Sequence, residues 1–381
     1  MRADRKWVQR NLGYDPVATP PPKGIMAFAA GGTSSKAEDF QREIIDFDSE
    51  SPSGRDFLAF STATGLSRYV DVPWPAKLAP KPAASLKRSS SDPLPAADVL
   101  VVTWTVDEGH ALSRVLTPGK DSRNDYLHYT HNFSEISKKM RHGCPALEEM
   151  RLGSYWTTSI GGKSVVVFKS ESHMSQDGPQ LPNIDVWSQI IDEVKPKLVI
   201  TTGTAGGIGT QFEVGDVVVS SIVRFDCIAK FKKEPFGQSH YSSTAAKTKF
   251  FATAKSLFKT NADQLPKDNK RLPKIAVVGP AVLKSSVVTT DFFGFDTSDN
   301  HFKLKGLGDV SEMGDAVLGL VVSKMQNKPR WLAIRNVSDP QIKAEGTLQQ
   351  QEKLAAQIYK GFGRWSTVCS AITCWASIAA E

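Results

Sequence analysis

Cysteine is scarce in this chain: Cys144, Cys227, Cys369 and Cys374 are the only four in 381 residues. None forms a Cys-x-x-Cys pair and none has the histidine spacing of a zinc site. They read as reduced thiols of a cytosolic protein, with Cys369 and Cys374 in the core. Long apolar runs are missing too. No stretch approaches the roughly 20 apolar residues that a membrane helix needs. Residues 366–380 are apolar but broken by serines and threonines, the pattern of a packed helix. The charged start, Met1-Arg-Ala-Asp-Arg-Lys-Trp7, has no apolar signal core, so a cytoplasmic location is expected. There is no internal repeat. Charge of one sign is not dominant: 47 Lys and Arg against 40 Asp and Glu leave +7. That mild excess suits an anionic small molecule, a nucleic acid or a plain solvated surface. The charge is diffuse and no recognition motif accompanies it, which places nucleic acid last.

What is present is the composition of a soluble globular protein, 40% apolar and 23% charged. It is long enough for one large core or two small ones. Residues 1–96 differ from the rest. Pro20-Pro-Pro22, Gly31-Gly-Thr-Ser-Ser35, Pro73, Pro75, Pro80, Pro82, Ser89-Ser-Ser91, Pro93 and Pro95 punctuate them. Such density opposes long helices and favours extended linker. Lys6–Leu12 reads as a short helical turn, while Phe57-Leu-Ala-Phe60 and Tyr69-Val70 read as islands that dock on the main domain. Whether this extension is an arm to a neighbouring subunit, a cover over a site or linker stays open.

From Ala97 the texture changes. Residues 99–104, 163–168, 196–202, 217–223, 274–278, 286–290 and 330–335 read as buried strands. Helical spacing covers 184–194, 244–257, 312–325, 348–359 and 364–379. Wholly apolar strands alternating with helices imply an α/β fold, a central sheet covered on both faces. Such sheets bind ligands at the carboxyl ends of their strands. Two features fall there. One is Val199-Ile-Thr-Thr-Gly-Thr-Ala-Gly-Gly-Ile-Gly209, whose glycines let backbone approach a ligand and whose threonines and amides can bond sugar or phosphate oxygens. The other is Ser338-Asp339, with Arg335 four residues before and Pro340 after. On residue type alone, Asp339 could equally cap a turn, and Glu108 could simply compensate a helix dipole.

Four motifs in order carry a resemblance: Gly203-Thr-Ala-Gly-Gly-Ile208, Gly215-Asp-Val-Val-Val219, Glu312-Met-Gly-Asp-Ala316 and Ile334-Arg-Asn-Val-Ser-Asp339. Together they resemble the purine nucleoside phosphorylase and nucleosidase superfamily over residues 97–379. The branch they resemble most holds methylthioadenosine/S-adenosylhomocysteine nucleosidase and AMP nucleosidase. The resemblance implies a three-layer α/β domain over 97–381, with a central mixed sheet flanked by helices. It implies cleavage of a purine N-glycosidic bond, no redox cofactor, no metal and a homo-oligomer, dimer or hexamer, in which a partner loop completes the site. Asp339 matches the aspartate that protonates purine N7. Glu108 matches the glutamate that orients the attacking water, with Asp107 as substitute. Phe293, or else Phe292, matches the aromatic that stacks on the base. Thr204, Ala205, Gly206, Met313 and Ser338 fall at substrate-binding positions.

Two departures matter. Gly314 stands where the family has the glutamate that grips the ribose diol. Glu312 and Asp315, three residues apart on an expected helical face, are then the candidates to reach the sugar. Thr201 stands where phosphorylases carry a phosphate-binding arginine, which favours water as nucleophile. Arg224, Lys230, Lys169 and His173 are candidate phosphate ligands, with Lys232 and Lys233 nearby. They would suit a nucleotide substrate such as AMP or ATP and a nucleotide-depleting role. The rival readings are a phosphorylase and a nucleotide sensor that has lost turnover.

Overall fold

Alternation along the first buried strand sets the architecture. In Val99–Thr103, Val99 and Val101 join one apolar cluster while Leu100 and Val102 join another. Successive side chains of a strand point to opposite faces, so a strand apolar on both must be covered twice. The computed structural model describes residues 1–16, 36–60 and 71–381. It shows a mixed sheet between two helical layers, the three-layer α/β architecture. Pro20–Pro22, Gly31–Ser35 and Tyr69–Val70 lie outside the described residues.

The principal helices are α1 (Arg5–Leu12), α2 (Lys36–Asp46), α3 (Pro52–Phe60), α4 (Val106–Leu116), α5 (Asn183–Val194), α6 (Phe251–Leu257), α7 (Asp315–Lys324) and α8 (Leu348–Ala379). The principal strands are β1 (Val99–Thr103), β2 (Gly153–Ile160), β3 (Lys163–Ser170), β4 (Leu198–Gly207), β5 (Val217–Ser220), β6 (Ile222–Asp226), β7 (Ile275–Val278), β8 (Ser286–Thr290), β9 (Gly308–Glu312) and β10 (Arg330–Asp339). One cluster packs α1, α4, α6 and α8 on the sheet and the other packs α5 and α7.

Strand β4 is the axis. One edge pairs with β10 in parallel from Leu198 to Gly206. The other edge is shared. Leu198–Thr201 pair with β1 in parallel, and Gly206 and Gly207 pair with β9 antiparallel. Between those stretches, Thr202 to Ala205 have no strand partner on that side. This break in the sheet, at the carboxyl end of β1, is where an open α/β sheet binds ligands.

Several expectations change. The glycine stretch is not a turn after the strand but its continuation: β4 runs to Gly207, with Gly203 at φ +143°. The helix expected from Glu312 starts at Asp315, because Glu312 ends β9. The helix expected from Thr244 is confined to α6, starting at Phe251. The two closing helices are one. Gly361 and Gly363 do not interrupt α8, since α1 packs so closely that a Cβ on Gly361 would meet Leu12 Cδ2 at 2.4 Å. β2 and β9 carry polar residues throughout, which hid them from a search for apolar runs.

The described parts of residues 1–96 pack on this domain. Asp4 caps α1 by accepting from Trp7 N, and Trp7 meets Phe362 edge to face. Phe57 and Leu58 are buried, the former contributing roughly 1.5–3 kcal/mol by burial. Lys360, wholly buried on α8, pairs with Glu43 of α2.

Candidate active site

The capping of α4 delivers the first candidate carboxylate. Thr105 and Glu108 form a reciprocal capping box. Glu108 Oε2 accepts from Thr105 N at 3.0 Å, Trp104 N at 3.1 Å and Thr103 Oγ1 at 2.9 Å. Its Oε1 enters the gap in β4 and accepts from Thr204 N at 2.7 Å and Thr204 Oγ1 at 2.6 Å. The carboxylate thus takes the place of a missing strand, satisfying an amide that the sheet leaves open. Each oxygen faces at least one backbone N–H and one hydroxyl, an arrangement suited to a carboxylate.

The gap needs Gly203. A Cβ there would lie 2.5 Å from Glu108 Cδ, and its φ falls in the left-handed half of the map. Gly203→Ala is expected to cost about 1–3 kcal/mol of stability and to push Glu108 aside. Urea denaturation checks this. Wild-type stability would mean that the gap has room to spare.

Across the cavity, β10 brings Asp339. The β4–β10 register shifts between Val337 and Asp339, so two β10 steps answer one on β4. Such bulges re-aim side chains, and here Asp339 turns to the cavity. Among the described residues it accepts one hydrogen bond, from Ser338 Oγ at 2.8 Å. Removal from water raises its pKa to about 6, against a small opposing pull from Ser338. A carboxyl group so placed can hold its proton closer to neutrality than an exposed one.

One cavity collects Glu108, Thr204, Ala205, Gly206, Phe293, Met313, Ser338 and Asp339, together with Glu312 and His173. Phe293 lines it, whereas Phe292 stacks on Phe302, centroids 5.1 Å apart. Four expected residues lie outside its lining. Asp315 pairs with Arg335 through both carboxylate oxygens, Nε–Oδ2 at 2.8 Å. Lys169 is buried in an ion pair with Glu171. Lys230 Nζ donates to Ser175 O at 2.7 Å. Arg224 sits on β6, with Nε buried and without a hydrogen bond among the described residues. His173 does line the cavity, but burial, with Lys169 and Arg42 nearby, drives its pKa far down. As a neutral ring it offers hydrogen bonds, not the charge expected of a phosphate ligand.

The expected Glu312/Asp315 helical face does not form. Glu312 instead caps α7, accepting from Gly314 N at 2.6 Å and from Asp315 N at 3.0 Å, and bonds the Thr289 hydroxyl. Burial and the adjacent Asp315 push its pKa up, while Arg335 pulls it down. Arg335 is the cation of the lining. It is engaged by Asp315, by Glu312 at 3.2 Å and by the Thr204 carbonyl at 3.3 Å, with the Trp104 ring 4.8 Å away.

Sequence reasoning missed several lining residues. Trp104 explains Gly314, since a Cβ at 314 would touch its indole at 3.3 Å. Tyr359, from α8, bonds Thr105 at 2.7 Å. Ile44 and Ile45 come from α2, so the chain's own N-terminal segment forms one wall. No local signal marks them. Among the described residues, the carboxylate and histidine groups spaced to hold a metal ion cluster around His110, outside the lining.

Residues 129–361 match the family model of the phosphorylase superfamily. The 5'-methylthioadenosine/S-adenosylhomocysteine nucleosidase of Listeria innocua is 32% identical over 84 residues, 21% of this chain and 33% of that one. The corresponding protein of Desulfotalea psychrophila is 38% identical over 80 residues, 20% of this chain and 31% of that one. The chain thus spans about a third of the length of these curated relatives. Among solved structures, the Neisseria meningitidis nucleosidase in complex with methylthio-immucillin-A superposes with a TM-score of 0.47 at 16% identity. That match covers 74% of this chain and 100% of the other.

Proposed function

Because this chain belongs to the phosphorylase superfamily, whose model matches more than half of it, we propose that it is an N-glycosidase that hydrolyses purine nucleosides to free base and sugar. The observation that carries the reading is the pairing of Glu108 and Asp339 in one cavity beside Phe293. The purine lies against Phe293, with N7 toward Asp339. Water attacks the anomeric carbon, the bond to the base breaks, and its electron pair passes into the ring. Asp339 gives the base a proton, and Glu108 takes one from the water. Water that replaces the Thr204 hydroxyl on Glu108 Oε1 would be aligned for this step. Thr201, wholly buried and neutral in β4, supplies no charge for phosphate.

The same lining argues for a substrate without a 5′-phosphate. Glu108, Glu312 and Asp339 face the cavity, while Arg335 is already held by two carboxylates. A phosphate brought there would be desolvated among acids. Nucleosides without phosphate fit better than AMP or ATP: uncharged adenosine and methylthioadenosine, or zwitterionic S-adenosylhomocysteine, the last two as in the names of the relatives. Base release followed by chromatography tests this. We expect adenine from the nucleosides without phosphate, none from AMP, and no stimulation by inorganic phosphate. Ribose 1-phosphate as product would make the protein a phosphorylase, and faster release from AMP would overturn the charge argument.

A second reading has one observation in its favour. Gly314 offers no carboxylate to a diol, and Glu108 already accepts five hydrogen bonds. Saturable nucleoside binding without base release would make the chain a sensor.

A further inference from the structure

Outside the cavity, one buried polar cluster takes no part in this reaction. Helix α4 carries Asp107 and His110 three residues apart, hence on one face. Asp48, between α2 and α3, meets them. Asp48 is 6% exposed, Asp107 0% and His110 2%. One carboxylate oxygen or ring nitrogen from each lies within 4.8 Å of the others. Asp107 Oδ2 and His110 Nε2 are buried with no hydrogen-bond partner among the described residues, although Nε2 is 3.3 Å from Asp48 Oδ1. Buried polar atoms of this kind are rare and costly unless something satisfies them.

The surrounding contacts orient these atoms. Ser49 holds the other oxygen of Asp107, from its amide at 2.9 Å and its hydroxyl at 2.7 Å. Ser122 Oγ lies 3.2 Å from His110 Nδ1. With Nδ1 donating to Ser122, Nε2 presents a lone pair toward two carboxylates, and a cation between them turns that repulsion into ligation. Metal-bound histidines are held in this way through their second nitrogen. The nearby cations are spoken for. Arg123 pairs with Asp48, and Arg364 and Arg114 pair with Glu50. Asp121 stands 4.0 Å from Nδ1. Asp107 has no ion pair among the described residues.

We propose that Asp48, Asp107 and His110 hold one divalent transition-metal ion, with Zn²⁺ the best match. One imidazole and two carboxylates form a ligand set that Zn²⁺ accepts. The ion would fasten the segment after α2 to α4, and so fix the Ile44–Ile45 wall beside the helix that carries Glu108. This inference does not depend on the proposed reaction.

The test uses the full chain, stripped with chelator and titrated calorimetrically with Zn²⁺, then with Mn²⁺ as a second probe. We expect one Zn²⁺ per chain and a higher melting temperature. His110→Gln should weaken binding by more than the tenfold to about a hundredfold typical of losing an outer partner, with its fold checked by circular dichroism. Should that variant not fold, Asp48→Asn and zinc-edge anomalous diffraction from the wild-type protein decide the same question. Failure of the wild type to bind either ion overturns the proposal, as does wild-type affinity in a folded variant or an anomalous peak elsewhere. The cluster would then be an ion-pair network around His110.

Discussion

Asp339→Asn is expected to lower kcat/KM for base release by about a thousandfold, within the range for losing a general acid. The substitution is nearly isosteric and keeps an acceptor for the Ser338 hydroxyl, so the fold should survive. Its pH dependence makes the prediction specific. Burial raises the Asp339 pKa to about 6, and the acid works only while protonated. Wild-type kcat/KM should therefore fall as pH rises through about 6, and the variant should lack that limb. Stability follows the same sign. A carboxyl group whose pKa is raised on folding favours the fold at low pH and loses that contribution as pH rises through its folded value. The neutral variant should then melt at or above the wild-type temperature above pH 6. Undiminished release, or a profile flat near pH 6 in the wild type, would remove Asp339 from the mechanism.

Glu108→Gln should cost a comparable factor of about a thousand in kcat, but with the opposite effect on stability. Glutamine keeps one acceptor oxygen and replaces the other by an NH₂ group. Wherever that group points, it faces at least one backbone N–H: Trp104 and Thr105 on one side, Thr204 on the other. At least one backbone amide loses its acceptor, Thr204 N on one side or Trp104 N and Thr105 N on the other, each buried donor left unsatisfied costing about 1–3 kcal/mol. A lower melting temperature together with lost turnover is the expected pair of results. Wild-type turnover in a destabilised protein would reduce Glu108 to a brace for the gap in β4. The two carboxylates are thus separable by experiment: loss of Asp339 is expected to remove turnover without destabilising the fold, and loss of Glu108 to do both.

Much of this was legible along the chain. The buried strands announced themselves because a sheet covered on both faces needs apolar residues at every position. Asp339, Phe293 and Thr204–Gly206 sit at or near strand ends that local patterning locates, and Glu108 follows a threonine in the spacing of a capping box. Polar strands such as β2 and β9 were hidden, since nothing local separates them from loop. The roles of charged residues were hidden for a different reason. Glu312 and Asp315 have helical spacing, yet one ends a strand and the other is held by Arg335, some 20 residues on. Lys169 and Lys230, expected to meet phosphate, spend their charge on Glu171 and a carbonyl.

Periodicity is a property of neighbours in the chain, and it decides which segments become strands and helices and which faces they bury. The partner of a charge, the tenant of a gap and the wall of a cavity are properties of neighbours in space. Gly314 acquired its meaning only when Trp104 was seen beside it. Ile44 joined the cavity only when α2 docked on α8. The grouping of Asp48 with His110 spans 62 positions, a distance no spacing rule crosses, and it exists because folding closes that loop.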